Sequence, residues 1–215
     1  MDMKKLLILV CAVVCLQAAI AQPFEGTITW NAKQTPAAPA GGGAPGSLVL
    51  KVKGTSIITL INGGMMNGAE MWFMNHDTKI MRVMRPQKMF VVVPEEAMAA
   101  AAKASEVTAI VKTSETIKIL GYTCTKYVGE MKAMGVTSKV AFWTTTEIKD
   151  EQKVLAHQPD PFGNPRLPQG VEGVPLKIEK VAPGGTTTLE VSDIKFEKLS
   201  DDLFKVPADF KEMGK

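Results

Sequence analysis

The sequence predicts a mainly β protein, an antiparallel sheet that curls over one or two short helices. Three observations carry this prediction. Apolar and polar residues alternate in many short runs, the mark of half-buried strands. Glycine, proline and asparagine clusters separate those runs at regular intervals, as turns do. Only one stretch, Pro94–Ser105, has clear helical composition.

The first residues, MDMKKLLILVCAVVCLQAAIAQ, hold Lys4 and Lys5, a short apolar core and Ala19-Ile20-Ala21. This is the pattern of a cleavable secretory signal spanning residues 1–21. Its apolar core is shorter than the roughly 20 residues a membrane span needs, and no other segment reads as transmembrane. Val10 and Val14 stand before Cys11 and Cys15 where a lipid-anchoring cysteine wants a small residue, so both cysteines leave with the signal. Residues 22–215 then form a single domain, long enough for a core without disulfides. The expected location is periplasmic or secreted.

Phe24–Ala32 reads as the first strand, with Phe24, Gly26, Ile28 and Trp30 on one side. A Pro/Ala/Gly loop follows at 35–46, where nothing large is available to pack. Leu48–Lys53 and Ile57–Ile61 continue the strand pattern up to an Asn62-Gly63-Gly64 turn. Strands near Met71–Met74, Ile80–Met84 and Lys88–Val93 are joined by turns at His76-Asp77 and Arg85-Pro86-Gln87. In Pro94–Ser105, proline suits the first helical turn, Glu95 and Glu96 face the positive helix end, and the alanine run favours helix.

Thr108–Ser114 is a further strand. It leads into Ile117–Trp143, which holds strands on both sides of a Gly121-Tyr122 corner and a third strand from Val136. Glu147–Ala156 is a candidate second short helix before a proline-rich loop, Pro159–Pro168. Leu176–Glu179 is a strand, Gly184-Gly185 a turn, and Thr186–Leu199 a long strand. In that last strand Leu189 and Val191 have opposite parity to Ile194 and Phe196. A bulge near Ser192-Asp193 would turn all four inward.

Chemistry is sparse. His76 and His157 are the only histidines and belong to no metal-ligand or protease motif. No nucleophile elbow or phosphate-binding glycine loop is present. Loss of Lys4, Lys5 and Asp2 with the signal takes the formal charge from +3 to +2. No basic stripe interleaved with aromatics points to nucleic acid. Cys124 is then the sole cysteine and reads as a small buried hydrophobe. The compositional oddity is a methionine-rich zone among aromatic and branched residues. Methionine and histidine can ligate soft copper, but Met71/Met74 and Met81/Met84 are spaced three apart, which sends each pair to opposite strand faces. Adaptable filler in a core or apolar cavity is the other reading.

With Gly121-Tyr122-Thr123-Cys124-Thr125-Lys126-Tyr127, Phe142-Trp143-Thr144, Gly173-Val174-Pro175-Leu176 and Leu203-Phe204-Lys205-Val206-Pro207 in this order, the chain resembles the domain-of-unknown-function 4412 family of exported bacterial proteins. The resemblance runs from about Phe24 to Met213. It implies a fold similar to LolA-like periplasmic lipoprotein carriers, a curled antiparallel sheet forming an incompletely closed barrel with one or two short helices over its concave side, and it implies no catalytic residue.

The functional expectation is a non-catalytic cell-envelope protein that binds lipid-like or other hydrophobic molecules and needs no cofactor. Met71, Trp72, Met74, Met81, Met84, Phe90 and Val92 are expected to supply the wall, one methionine of each pair facing inward. Arg82 or Arg85 at the rim would hold an acidic head group, since a guanidinium matches carboxylate or phosphate. The competing reading is a packed structural or protein-interaction module whose partner would be another envelope protein. Hydrolase and copper-binding readings lack a constellation to support them.

Overall fold

A computed structural model describes residues 24–36, 46–74, 79–94, 96, 97, 100, 105–133, 135–150, 153–155 and 167–214. The signal segment, the tip of the 35–46 loop, the His76-Asp77 turn and most of Pro159–Pro168 lie outside them. The strands are β1 (Gly26–Thr35), β2 (Ser47–Lys53), β3 (Ser56–Asn62), β4 (Glu70–Met74), β5 (Lys79–Met84), β6 (Met89–Val92), β7 (Ser105–Ile119), β8 (Tyr122–Ala133), β9 (Val136–Thr145), β10 (Val174–Ala182), β11 (Gly185–Phe196) and β12 (Lys211–Glu212). They form one sheet in the order β12-β6-β5-β4-β3-β2-β1-β11-β10-β9-β8-β7. Every pairing is antiparallel except the short parallel contact of β12 with β6. The edges β7 and β12 are not paired with one another, so the sheet stays open.

The buried apolar side chains of the strands gather in two clusters. The larger cluster draws on β1–β5 and β7–β11, through Ile28, Leu50, Phe73, Tyr127, Phe142 and Leu189 among others. Residues between β9 and β10, among them Ile148, Val154, Leu155 and Val171, pack against this face as well. We call it the interior face. The smaller cluster, Ile58, Trp72, Met81 and Val83, lies on the opposite face of β3–β5. There Phe204, Val206 and Phe210 of the C-terminal segment cover it. That segment is pinned to the sheet by Lys53–Asp201 at 2.7 Å and Lys88–Asp209 at 2.8 Å.

The expected bulge is present. Thr29 pairs with Asp193 but Trp30 with Val191, leaving Ser192 as the extra residue. Leu189 and Val191 are buried and Ile194 packs against the same cluster. Phe196 reaches that side at the sheet's end, where it stays 64% exposed and meets Phe24 edge-on at 5.0 Å. Gly26 stands directly across from Phe196. Its φ of 152° and the Lys195 carbonyl, which a Cβ would overlap, explain why no side chain is tolerated there.

Two boundaries differ from the sequence expectation. β7 starts at Ser105, where the helix was expected to end, and runs to Ile119 because it pairs with the long β8 from Ser105↔Ala133 to Ile119↔Tyr122. Glu96, Ala97 and Ala100 have helical backbone; the rest of Glu95–Ala104 lies outside the described residues. Glu147–Asp150 bend rather than wind into a helix. The Glu147 amide donates to Thr145 Oγ1, and the Glu147 carboxylate accepts from the Thr123 amide. Those local bonds compete with a first helical turn.

Candidate functional site

Strand parity divides the methionine-rich zone. In β4, Met71 and Phe73 pack with the interior cluster while Trp72 and Met74 pack with the outer one. In β5, Ile80 is interior and Met81 and Val83 are outer, so Arg82 and Met84 share the interior side with Ile80. In β6, Phe90 and Val92 are outer. The nine residues expected to bind therefore fall into two groups. Met71, Arg82 and Met84 stand together on the interior face. Trp72, Met74, Met81, Phe90 and Val92 stand together on the face beneath Phe204, Val206 and Phe210. Each methionine pair contributes one residue to each side.

Arg85, in the turn after β5, belongs to the outer group. Its Nε donates to Glu70 Oε1, a second guanidinium nitrogen donates to Glu70 Oε2 at 3.1 Å, and it lies 5.9 Å from the Trp72 ring centre. Trp72 Nε1 donates to the same carboxylate at 2.7 Å. Glu70 is buried, so three donors converge on a carboxylate removed from water, which is how a buried charge is made tolerable.

Arg82 is arranged otherwise. The register joins Leu50↔Thr59, Thr59↔Met71, Met71↔Arg82 and Arg82↔Val91, one row across five adjacent strands of the interior face. The neighbouring rows bring Phe73↔Ile80 on one side and Met84↔Met89 on the other. Arg82 is exposed and has no acidic partner among the described residues, in a setting that is otherwise apolar.

Sequence reasoning did not single out Thr59, Trp30, Met89 or Glu70. The first two hold buried polar atoms, Thr59 Oγ1 and Trp30 Nε1, without a hydrogen-bond partner among the described residues. Glu70 carried a signal, an acidic residue opening an apolar run. Cys124 is fully buried, and burial, with the Glu147 carboxylate adding to it, pushes its thiol up to about 11. No group of three or more metal-ligating side chains occurs among the described residues, and His76 and His157 lie outside them. No helix among the described residues is long and apolar enough to cross a membrane.

An open, almost wholly antiparallel sheet with two unlike apolar faces is thus the class of protein this chain represents. Residues 24–210 match the family described as Domain of unknown function (DUF4412), and the chain belongs to that family. No curated protein matches it. Among solved structures it is similar to PNGF-II, at 16% identity and a TM-score of 0.49, over 88% of this chain and 31% of that one. It thus spans about a third of PNGF-II. It is also similar to the lipoprotein LppX of Mycobacterium tuberculosis, at 10% identity and a TM-score of 0.41 over 93% of this chain and 99% of that one. LprF of Mycobacterium bovis is similar at 10% identity and a TM-score of 0.37, over 86% and 90%.

Proposed function

We propose that this is an exported, non-catalytic binding protein for lipid-like or other hydrophobic molecules with an acidic head group. Its binding surface is the interior face of β3–β6, with Met71 and Met84 in the wall and Arg82 holding the head group. The observation that carries this reading is the contrast between the two arginines. Arg85 meets a buried carboxylate on the outer face, whereas Arg82 projects from an apolar row with no acidic partner among the described residues. An unpaired guanidinium beside methionines suits a carboxylate or phosphate attached to a hydrocarbon chain. Each buried methylene of such a chain would contribute about 0.8 kcal/mol. The packed-module reading is favoured by the deep interior, where Ile28, Leu50 and Leu189 are as buried as in any core.

The test is titration of the exported protein with a fluorescent fatty acid or phospholipid. Saturable binding is expected, weakened about tenfold in Arg82→Ala, since a hydrogen bond to a charged group contributes about 1.5–3 kcal/mol. Met84→Asp should weaken it further by placing a like charge beside the head group. No saturable binding by the wild type, or identical binding by folded variants, would leave the packed module.

A further inference from the structure

We infer that Met71, Met84 and Met89 are an oxidation switch. A peroxide converts their thioethers to sulfoxides, and the sulfoxide oxygens then occupy Arg82 and close the interior face to its ligand. This rests on the binding reading above and deepens it by naming how that surface is regulated.

Register gathers the three methionines around one cation. Met71 of β4 stands directly across from Arg82 of β5, and Met84 of β5 stands directly across from Met89 of β6. Arg82 and Met84 are two apart in one strand, so they share the interior side with the residues opposite them. Directly opposed residues have Cβ atoms about 4.5–5.5 Å apart and diagonal ones about 7–8 Å, within reach of long side chains. Arg82 is exposed and has no acidic partner among the described residues, whereas Arg85 has Glu70.

Accessibility sets these sulfurs apart. Met71, Met84 and Met89 are each partly exposed. Met81 and Met131, at 2% and 0% exposure, are sealed in the core. Met66 and Met213 are more open, but Met66 lies in the turn Gly64–Met66 and Met213 follows β12, so neither belongs to a strand of this face.

The chemistry follows from the thioether. Hydrogen peroxide transfers one oxygen atom to the sulfur: an S–O bond forms, the O–O bond breaks, the sulfur gives up two electrons and the peroxide leaves as water. A flexible apolar chain thereby becomes a polar one. Its new oxygen accepts hydrogen bonds, and a guanidinium is a donor only. An arginine without an acid is the partner that oxygen meets here. Oxidation thus removes the apolar wall and the head-group clamp together, and methionine sulfoxide reductase restores both.

The experiment treats the exported protein with graded hydrogen peroxide. Peptide mass spectrometry reads the sulfoxide at each methionine, and titration with a fluorescent fatty acid reads affinity. Met71, Met84 and Met89 are expected to oxidise before Met81 and Met131. Affinity should fall about tenfold, the scale of one lost hydrogen bond to a charged group, and return after reductase treatment. A Met71→Leu/Met84→Leu/Met89→Leu variant conserves volume and keeps Met66 and Met213, so it should bind like the wild type and hold its affinity through the same treatment. Arg82→Ala, which starts weaker, should lose much less than tenfold on oxidation. Oxidation of Met81 as early as Met84, or unchanged affinity once the three sulfurs are oxidised, overturns the switch and leaves lipid binding standing. A triple-leucine variant as sensitive to peroxide as the wild type, or an affinity loss that the reductase does not reverse, does the same. Absence of binding by the reduced protein overturns the switch together with the binding surface.

Discussion

Replacing Glu70 with alanine tests the outer face directly. The carboxylate accepts from Trp72 Nε1 at 2.7 Å and from two nitrogens of Arg85. Trp72 is 0% exposed, so its indole N–H has no route to water once the carboxylate is gone. An orphaned buried donor costs about 1–3 kcal/mol. Arg85 is different: its side chain is 46% exposed and can rehydrate, so the lost ion pair adds only about 0–1 kcal/mol. The one missing methylene adds about 0.8 kcal/mol. Glu70→Ala should therefore destabilise by about 3 kcal/mol, near 10 °C in Tm for a domain of this size.

The order of variants is more telling than any one value. Arg85→Ala leaves the indole paired and opens the carboxylate to water, so it should cost only about 1 kcal/mol. In a Trp72→Phe background no indole N–H remains to be orphaned, and Glu70→Ala should become milder by about 1–2 kcal/mol. Equilibrium denaturation followed by circular dichroism gives all of these values. A Glu70→Ala protein within about 0.5 kcal/mol of the wild type, or no coupling to Trp72, would refute the reasoning.

Cys124 should resist maleimide at pH 8 until denaturant is added, because burial holds its thiol protonated up to about 11. The ordinary thiol value is 9.0. From pH 9 toward 11 the unfolded chain therefore loses a proton that the folded one keeps, and stability should fall over that window in wild type but not in Cys124→Ala. Rapid labelling of the native protein, or no difference between their pH profiles, contradicts this. The exported protein should have the intact mass of a chain beginning at Gln22 with no acyl group; a lipid-bearing mass that includes Cys15 would count against cleavage after Ala21.

Most strands were legible because alternation is a local property. Runs such as Leu48–Lys53 and Val136–Trp143 can hide an apolar face in only one way. The Ser192 bulge was legible too, since Leu189/Val191 and Ile194 cannot share a face without an extra residue. What stayed hidden is long-range. Nothing local announces that β1 pairs with β11 or that β12 runs parallel to β6. The length of β7 was obscured because an edge strand is wet on most positions: Lys112, Glu115 and Lys118 are exposed and blur the apolar period. The site was partly legible for the same reason. The opposite parity of the methionine pairs could be read from their spacing, but the unpaired state of Thr59 and Trp30 is a property of the assembled core.

The two arginines show why register, more than composition, decides what this zone does. Arg82 and Arg85 are three residues apart, and neither differs from the other by any sequence property of its own. The β4–β5 pairing sets Glu70 against Val83 and Met71 against Arg82. That places the buried carboxylate on the outer side, within reach of the turn that carries Arg85. Arg82 is left beside Met71, with no acidic partner among the described residues. Slipping the pairing by one residue would exchange the faces. Arg82 would then stand on the side of Glu70 and compete with Arg85 for its carboxylate. The bidentate pair of Arg85 with Glu70, which joins the turn after β5 to β4, thus helps to lock the register. It rewards the one arrangement in which a guanidinium is left over on the apolar interior face.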